Sequence, residues 1–414
     1  MRNKIYIGSL AVIIAAILWS LDGTFLRPQL FTLPSVLVVF LEHTLGFIVL
    51  IPFLIIYRQQ IKLINKKQWA AVFWVALFGG ALGTTFITKA LFLTGFHDTS
   101  VVILLQKFQP LFAMVLAAIF LRERFPKIFY LYAAVAIIAG YFVTFKDPLT
   151  AGNVLKTTGL VALFSLLAAF AWGSSTTFGK YSIKNINYGL LAALRFGLTV
   201  LIMAFPALYY YSGQFSVVAP KQWGTLVIIV FTSGAVAMFL YYYGLKKIPA
   251  SIATLCELSW PVSAIFFDYF LNKNILSWTQ LLGATVLIVM VYLTTRLNKP
   301  HVIVGIVEKG ANNGKKLGAK TANLNIKLAS NLPKGLYTCE VEANGKKHQG
   351  LLYYGYNSLT NTDTLEVHIF NFSANIYGHQ ITVVTDKFLR LPKTFKNPED
   401  LMMQIKKDLL NIGS

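Results

Sequence analysis

The sequence predicts a multi-pass α-helical membrane protein of ten transmembrane helices in an inverted five-helix repeat, followed by a small C-terminal β-barrel with one closing helix. Three observations predict it. Hydrophobic residues fill 56% of the 414 positions and charged residues only 13%, against the ~25% charge usual in soluble domains. The apolar residues gather in runs long enough for a bilayer, whose ~30 Å of hydrocarbon takes ~20 helical residues to cross. Near residue 300 those runs stop, and apolar and polar positions begin to alternate.

The apolar runs lie near 5–25, 34–57, 69–93, 98–121, 127–145, 157–179, 187–211, 222–245, 250–271 and 275–297. Short polar loops such as 58–67, 122–126 and 246–249 separate them. No small-residue cleavage pattern follows the first run, where Asp22-Gly23 and Arg27-Pro28 stand instead, so it reads as a span rather than a removable leader. An even number of spans puts both termini on one side. Arg2, Lys4, Arg58, Lys62, Lys66, Lys67, Arg122, Arg124, Lys127, Lys180, Lys184, Lys246, Lys247, Arg296 and Lys299 fall on that side. Only Arg27, Lys146, Lys156, Lys221 and Lys273 fall on the other. Basic residues accumulate in cytosolic loops, which predicts a cell (cytoplasmic) membrane protein with both termini cytosolic. The net charge of +21 is accounted for by this loop pattern and is no sign of a nucleic-acid partner. The partner it implies is the lipid bilayer. Cys256 and Cys339 are too few for a disulfide framework.

The membrane part, 1–298, repeats itself. Residues 15–25, AAILWSLDGTF, return at 168–178 as AAFAWGSSTTF, which aligns Trp19 with Trp172. Gln106 to Pro110 returns as Glu257 to Pro261. The copies are thus about 5–145 and 157–297, and an odd number of helices per copy turns the second one over. Inverted repeats place a solute site at the bilayer midplane between them.

Polar residues inside such spans are costly, ~2.5–3.5 kcal/mol for a charge at mid-helix, and are retained for a reason. Glu42, His43, Gln106, Lys107, Gln109, Arg195 and Glu257 qualify, and Glu42 matches Arg195 in the repeat as Gln106 matches Glu257. They read either as contacts in a central cavity or as internal ion pairs, for example Glu42 with Arg195. Asp22, Lys89 and Asp268 lie nearer helix ends and read as interfacial. Trp19, Trp172 and Trp260 read as a stacking surface for a flat ligand or as packing and interface anchors.

Residues 301–414 form the second domain. Asn344-Gly345 between alternating runs is a two-residue hairpin turn, and Leu401, Ile405 and Leu409 have helical spacing. The alternation at 364–370, TLEVHIF, sets Glu366 and His368 on one strand face and Val367 and Ile369 on the other. At 305–323, GIVEKGANNGKKLGAKTAN, Gly310, Gly314 and Gly318 let the backbone approach a phosphate. Lys316 and Lys320 add positive charge there, and Thr321 and Asn323 offer oxygens suited to Mg²⁺ or phosphate.

Residues 5–297, through the repeat, its Trp19 and Trp172 motifs and Pro110 and Pro261, resemble the drug/metabolite transporter superfamily, specifically its EamA-like members. Nearly all of 303–410 resembles the riboflavin kinases. The resemblance rests in order on LGAKTAN at 317–323, PKGLY at 333–337, GLLYYGY at 350–356 and LEVHIFNF at 365–372. Tyr377-Gly378, Phe388 to Arg390, Phe395 and Gln404 to Asp408 continue it. That likeness implies ATP-dependent phosphorylation of riboflavin to FMN. It implies Thr321 and Asn323 holding Mg²⁺ with ATP beside the glycine-rich stretch, Glu366 as general base, and Arg390 near the flavin. The chain departs from the family at Lys320, where the motif has proline, and at Leu391-Pro392, where an Asp-Glu pair is usual. Together the resemblances imply a riboflavin carrier whose cytosolic domain traps the vitamin as FMN. The alternatives are a metabolite carrier whose tail senses flavin or nucleotide without catalysis, and an exporter of an unrelated solute. The oligomeric state is not legible in the sequence.

Overall fold

Apolar composition and helix length carry the first two thirds of the fold. The computed structural model describes residues 2–95, 100–144, 159–272, 277–297, 300–309, 321–329, 332–357, 362–395 and 398–410. Among these residues ten helices are long and apolar enough to span a membrane. They are α1 (Lys4–Leu30), α2 (Ser35–Ile56), α3 (Lys66–Leu93), α4 (Val102–Phe120), α5 (Lys127–Thr144), α6 (Gly159–Ser182), α7 (Tyr188–Gln214), α8 (Pro220–Lys247), α9 (Ala250–Leu271) and α10 (Trp278–Leu297). The chain divides into two compact units, the larger holding most of these spans and the smaller the strands.

Local chemistry sets the helix ends. Asn65 caps α3 by accepting from the Gln68 amide at 2.9 Å while Gln68 accepts from the Asn65 amide at 3.1 Å, so two orphan donors are satisfied reciprocally. Glu123, just beyond α4, accepts from the amides of Ala250 and Ser251 at 2.8 and 3.0 Å and caps α9. That cap leaves no local signal in the sequence, because its partner lies in the other copy of the repeat.

The repeat is visible in the irregularities. Pro52 and Pro206 sit inside α2 and α7, the second helix of each copy. The third helix of each copy opens into a wide π-helical turn, at Val75–Leu82 in α3 and Val230–Gly234 in α8. The fourth is broken: α4 is interrupted between Gln106 and Gln109, and α9 between Cys256 and Ser259. A π turn or a break frees backbone groups that a membrane cannot hydrate, so these irregularities occur where protein or a wet cavity satisfies them.

The smaller unit holds β1 (Val302–Ile306), β2 (Ala322–Leu324), β3 (Gly335–Ala343), β4 (Lys346–Asn357), β5 (Thr362–Ile369) and β6 (Gln380–Arg390), and ends in helix α11 (Pro398–Leu410). The antiparallel order is β1-β6-β3-β4-β5-β2. Glu308, just past β1, donates its amide to the Asn323 carbonyl in β2 at 2.9 Å and so nearly closes the barrel. Alternation fills the interior with Ile303, Cys339, Val341, Leu352, Leu365, Val367 and Val383. The turn at Asn344-Gly345 joins β3 to β4 with positive φ at both residues, 51° and 71°, the backbone that a two-residue turn of this hand requires.

Candidate functional site

Two sites emerge, one in each unit. In the membrane unit a cavity of about 170 Å³ is lined by Trp19, Glu42, His43, Gln106, Trp172, Arg195 and Glu257 together. The cost of polar residues in spans nominates five of the seven and the repeat nominates Trp19 and Trp172; helix packing brings them to one place. The helix breaks contribute Gln106, Lys107, Gln109 and Pro110 from α4, and Glu257, Leu258, Trp260 and Pro261 from α9. Gln109 donates to the Glu257 carboxylate, so a side chain from one break reaches across to the other.

The electrostatics correct three expectations. Glu42 does not pair with Arg195. It pairs with Arg27, whose Nη2 lies 3.0 Å from Glu42 Oε2 and 2.6 Å from Asp22 Oδ2. Arg27 Nη1 also donates to Thr88 Oγ1 at 3.0 Å. Asp22 is therefore buried rather than interfacial, and Arg27 is a cavity residue rather than a loop charge. The reason is local. The chain runs on past Leu21 in a π-helical turn, Asp22–Leu26, and a tight turn, Arg27–Leu30, so the span continues inward where the sequence suggested a loop. One arginine is thus shared by two buried carboxylates. Arg195 instead donates to the Gly79 carbonyl at 2.7 Å and contacts the sulfur of Met238. Lys89, by contrast, is exposed near the end of α3, with its ammonium over the Phe164 ring.

The repeated tryptophans have an unexpected use. Trp19 on α1 donates its indole N–H to the Ser233 carbonyl in the π turn of α8 at 2.9 Å. Trp172 on α6 donates to the Gly79 carbonyl in the π turn of α3 at 3.1 Å. Each copy's first helix thus satisfies the freed carbonyl of the other copy's third. Glycine at 79 is needed, since a side chain there would run into Ser175 of α6.

In the barrel, β2 and β5 set Asn323 beside Glu366 in register, and Tyr353 of β4 faces Glu366 from the other side. Leu365, Val367 and Ile369 point into the barrel, which leaves Glu366 on its outer surface. Its carboxylate accepts from Thr321 Oγ1 at 3.2 Å and from Asn357 Nδ2 at 3.1 Å. Asn357, at the end of β4, was missed in the sequence: it carries no motif, and only strand pairing places it here. Burial raises the Tyr353 phenol to about 12, against the pull of the Arg390 charge, so it stays a hydroxyl and donates to the Tyr356 carbonyl at 2.6 Å. Gly310, Gly314, Lys316, Gly318 and Lys320 lie outside the described residues. Arg390 is held by α11: its Nε and Nη2 reach the Asp408 carboxylate at 3.1 and 2.7 Å, and Gln404 steadies Asp408 at 2.7 Å. Pro392 fills the space over Gly355, which fixes the Leu391-Pro392 departure against β4. The donors that converge at the β2–β5 pair are a hydroxyl, a carboxamide and a carboxylate, the hard oxygens that suit Mg²⁺. Among the described residues no three His, Cys, Asp or Glu cluster as a metal cage would need. An ion here would complete its shell with phosphate oxygens and water.

A ten-helix bundle with two broken helices around one cavity defines a class, and the chain belongs to the EamA-like transporter family, whose model matches residues 6–145 and again 159–296. Residues 297–413 match the riboflavin kinase family, so the chain joins a riboflavin kinase domain to that transporter. The riboflavin transporter ImpX of Fusobacterium nucleatum is 40% identical over 300 residues, 70% of this chain and 98% of its own length. The bifunctional riboflavin kinase/FMN adenylyltransferase of Listeria monocytogenes is 32% identical over 116 residues, 27% of this chain. This chain spans 37% of the length of that relative. A solved structure described only as a crystal structure of protein aligns with 72% of this chain and 98% of its own, at 15% identity and a TM-score of 0.54, and shares the fold alone.

Proposed function

We propose that this chain carries riboflavin across the cell membrane and that its C-terminal domain, in the cytosol with the N-terminus, phosphorylates the vitamin to FMN. The observation that carries the reading is the fusion itself: a relative of a riboflavin transporter over nearly its whole length, continuous with a riboflavin kinase domain. In the membrane, Trp19, Glu42, His43, Gln106, Trp172, Arg195 and Glu257 are the proposed solute contacts, a polar and aromatic set suited to an uncharged ring with imide and hydroxyl groups. In the barrel, Glu366 takes the proton of the riboflavin 5′-hydroxyl as that oxygen bonds to the γ-phosphorus of ATP and the bond to ADP breaks. Thr321 and Asn323 would hold Mg²⁺ with the ATP phosphates, and the ion would supply charge neutralisation. Thr321 and Asn357 fix the Glu366 carboxylate where it can act as base. Arg390 is the proposed flavin-side residue, and the Asp408 carboxylate that holds it supports that role.

Phosphorylation adds about two negative charges, so FMN does not return through a cavity selected for a neutral ring. A short tether raises the effective concentration of kinase for emerging riboflavin toward the millimolar range. The test is uptake of labelled riboflavin by cells lacking other riboflavin uptake and expressing the full chain. The expected result is label accumulating as FMN, and with Glu366→Gln a lower level of label held only as unphosphorylated riboflavin. Accumulation unchanged by that substitution, with no FMN made, overturns the trapping step. Flavin binding without FMN formation assigns the tail to sensing, the reading that the Leu391-Pro392 departure favours.

A further inference from the structure

Three carboxyl groups line the cavity, and their environments differ. Asp22 and Glu42 share Arg27. Glu257 has no ion pair among the described residues: its partners are the Gln109 amide and the Tyr241 hydroxyl, the latter at 2.9 Å. We infer that Glu257 is a proton-binding site that couples proton movement to transport, an inference that takes its cavity from the reading above but not the identity of the solute.

The hydrogen-bond geometry makes the site two-state. A carboxylate only accepts, so while Glu257 is ionised the Tyr241 hydroxyl donates to it. Tyr241 must then accept from Thr176 Oγ1, 2.6 Å away, a contact in which either oxygen can donate. A protonated Glu257 donates one bond itself. Tyr241 then accepts from Glu257 and donates to Thr176, and the chain reverses. The groups that reverse sit on α9, α8 and α6, all in the second copy, while Gln109 of α4 ties Glu257 to the first, so the proton binds where the two copies meet. The break in α9 puts Glu257 at the cavity wall, where alternating access would wet it in one state and dry it in the other. An uncompensated carboxylate is stable in the first setting and costly in the second, which is what a proton-coupled step requires. The other titratable and charged groups around the cavity are His43 on α2, Arg195 on α7 and Lys107 on α4, with Tyr242 on α8 and Cys256 beside Glu257 on α9. Arg195 is turned to the Gly79 carbonyl and the Met238 sulfur, and among the described residues no hydrogen bond or ion pair is present at the Lys107 ammonium.

The experiment uses the purified full chain in liposomes without ATP, so that no trapping occurs. Equilibrium exchange of labelled riboflavin first tests the solute. A pH difference is then imposed, and one proton per solute gives ~10-fold accumulation per pH unit. The wild type is expected to accumulate riboflavin and to show a pH-dependent exchange rate. In Glu257→Gln accumulation is lost, and whatever exchange remains no longer follows pH. Tyr241→Phe moves the pH profile. A wild type that exchanges riboflavin but ignores the pH difference, or an E257Q chain that still accumulates it, overturns the inference. Absence of exchange in the wild type refutes the riboflavin reading instead. The proton site is then decided without solute, by pH-difference infrared spectra of the full chain. A protonated-carboxyl band present in the wild type and missing from E257Q supports it. A band kept by E257Q, or absent from the wild type, overturns it.

Discussion

Replacing Glu366 by glutamine separates chemistry from structure with unusual cleanness, because the site's own hydrogen bonds tolerate the change. The native carboxylate accepts from Thr321 Oγ1 at 3.2 Å and Asn357 Nδ2 at 3.1 Å. Glutamine turned with Oε1 toward Asn357 keeps that bond, and its Nε2 donates to the Thr321 hydroxyl, which can accept as well as donate. Two neutral bonds replace two charge-assisted bonds, and on a half-exposed strand face the loss is about 1 kcal/mol in total. The chemistry loses far more. An amide cannot take the hydroxyl proton, and general-base catalysis contributes ~10²–10⁴-fold, or ~3–5 kcal/mol of barrier. The assay measures FMN by chromatography from the full chain with riboflavin, ATP and Mg²⁺, next to thermal unfolding of the same preparation. The expected result is a ~10²–10⁴ loss of turnover with melting nearly unchanged. Turnover kept within about tenfold of wild type would refute the assignment of Glu366 as base, and loss of turnover only together with loss of folding would refute the hydrogen-bond reasoning.

Arg27→Ala leaves Asp22 and Glu42 buried without their cation and is expected to cost ~3–5 kcal/mol, read as a lower melting temperature in detergent. Adding Asp22→Asn and Glu42→Gln should recover most of it. Asp408→Asn weakens the clasp on Arg390 by ~1.5–3 kcal/mol, which limited proteolysis should detect as earlier release of α11. Burial pushes the Cys339 thiol up from 9.0 to about 12. The folded chain therefore keeps that proton where the unfolded chain loses it. Its contribution to stability is complete below about pH 9 and is lost as pH rises toward 12, at ~1.4 kcal/mol per pH unit. Barrel unfolding followed by urea titration should weaken over that range in the wild type and less in Cys339→Ala.

Much of this architecture is legible in residue patterns. Span length and apolar content are one-dimensional signals, so ten helices can be read off directly, and the period of two places Glu366 on the outside of β5. Asn344-Gly345 is equally local, since its backbone needs are met by the two residues themselves. What hides from the sequence is pairing at a distance. Arg27 looks like a loop charge because a hydropathy window ends at Asp22, whereas the chain folds on through a π turn and buries both. The matched positions of Glu42 and Arg195 suggest a pair, yet a nearer arginine takes the acid. Indole N–H groups leave no trace of their partners in any periodicity, so the tryptophan contacts appear only in three dimensions.

Those tryptophan contacts also decide where the molecule can be divided. Trp19 binds α1 to α8, and the turns that end α1 lie along α8 and α9. Trp172 binds α6 to α3, and α6 also packs along α4. Each of these assemblies, α1 with α8 and α9, and α6 with α3 and α4, draws helices from both copies, so the copies of the repeat are not the units that pack. A chain severed between α5 and α6 yields two polypeptides, neither of which holds a complete assembly, so each should fail alone and the pair should regain transport only by exchanging their first helices.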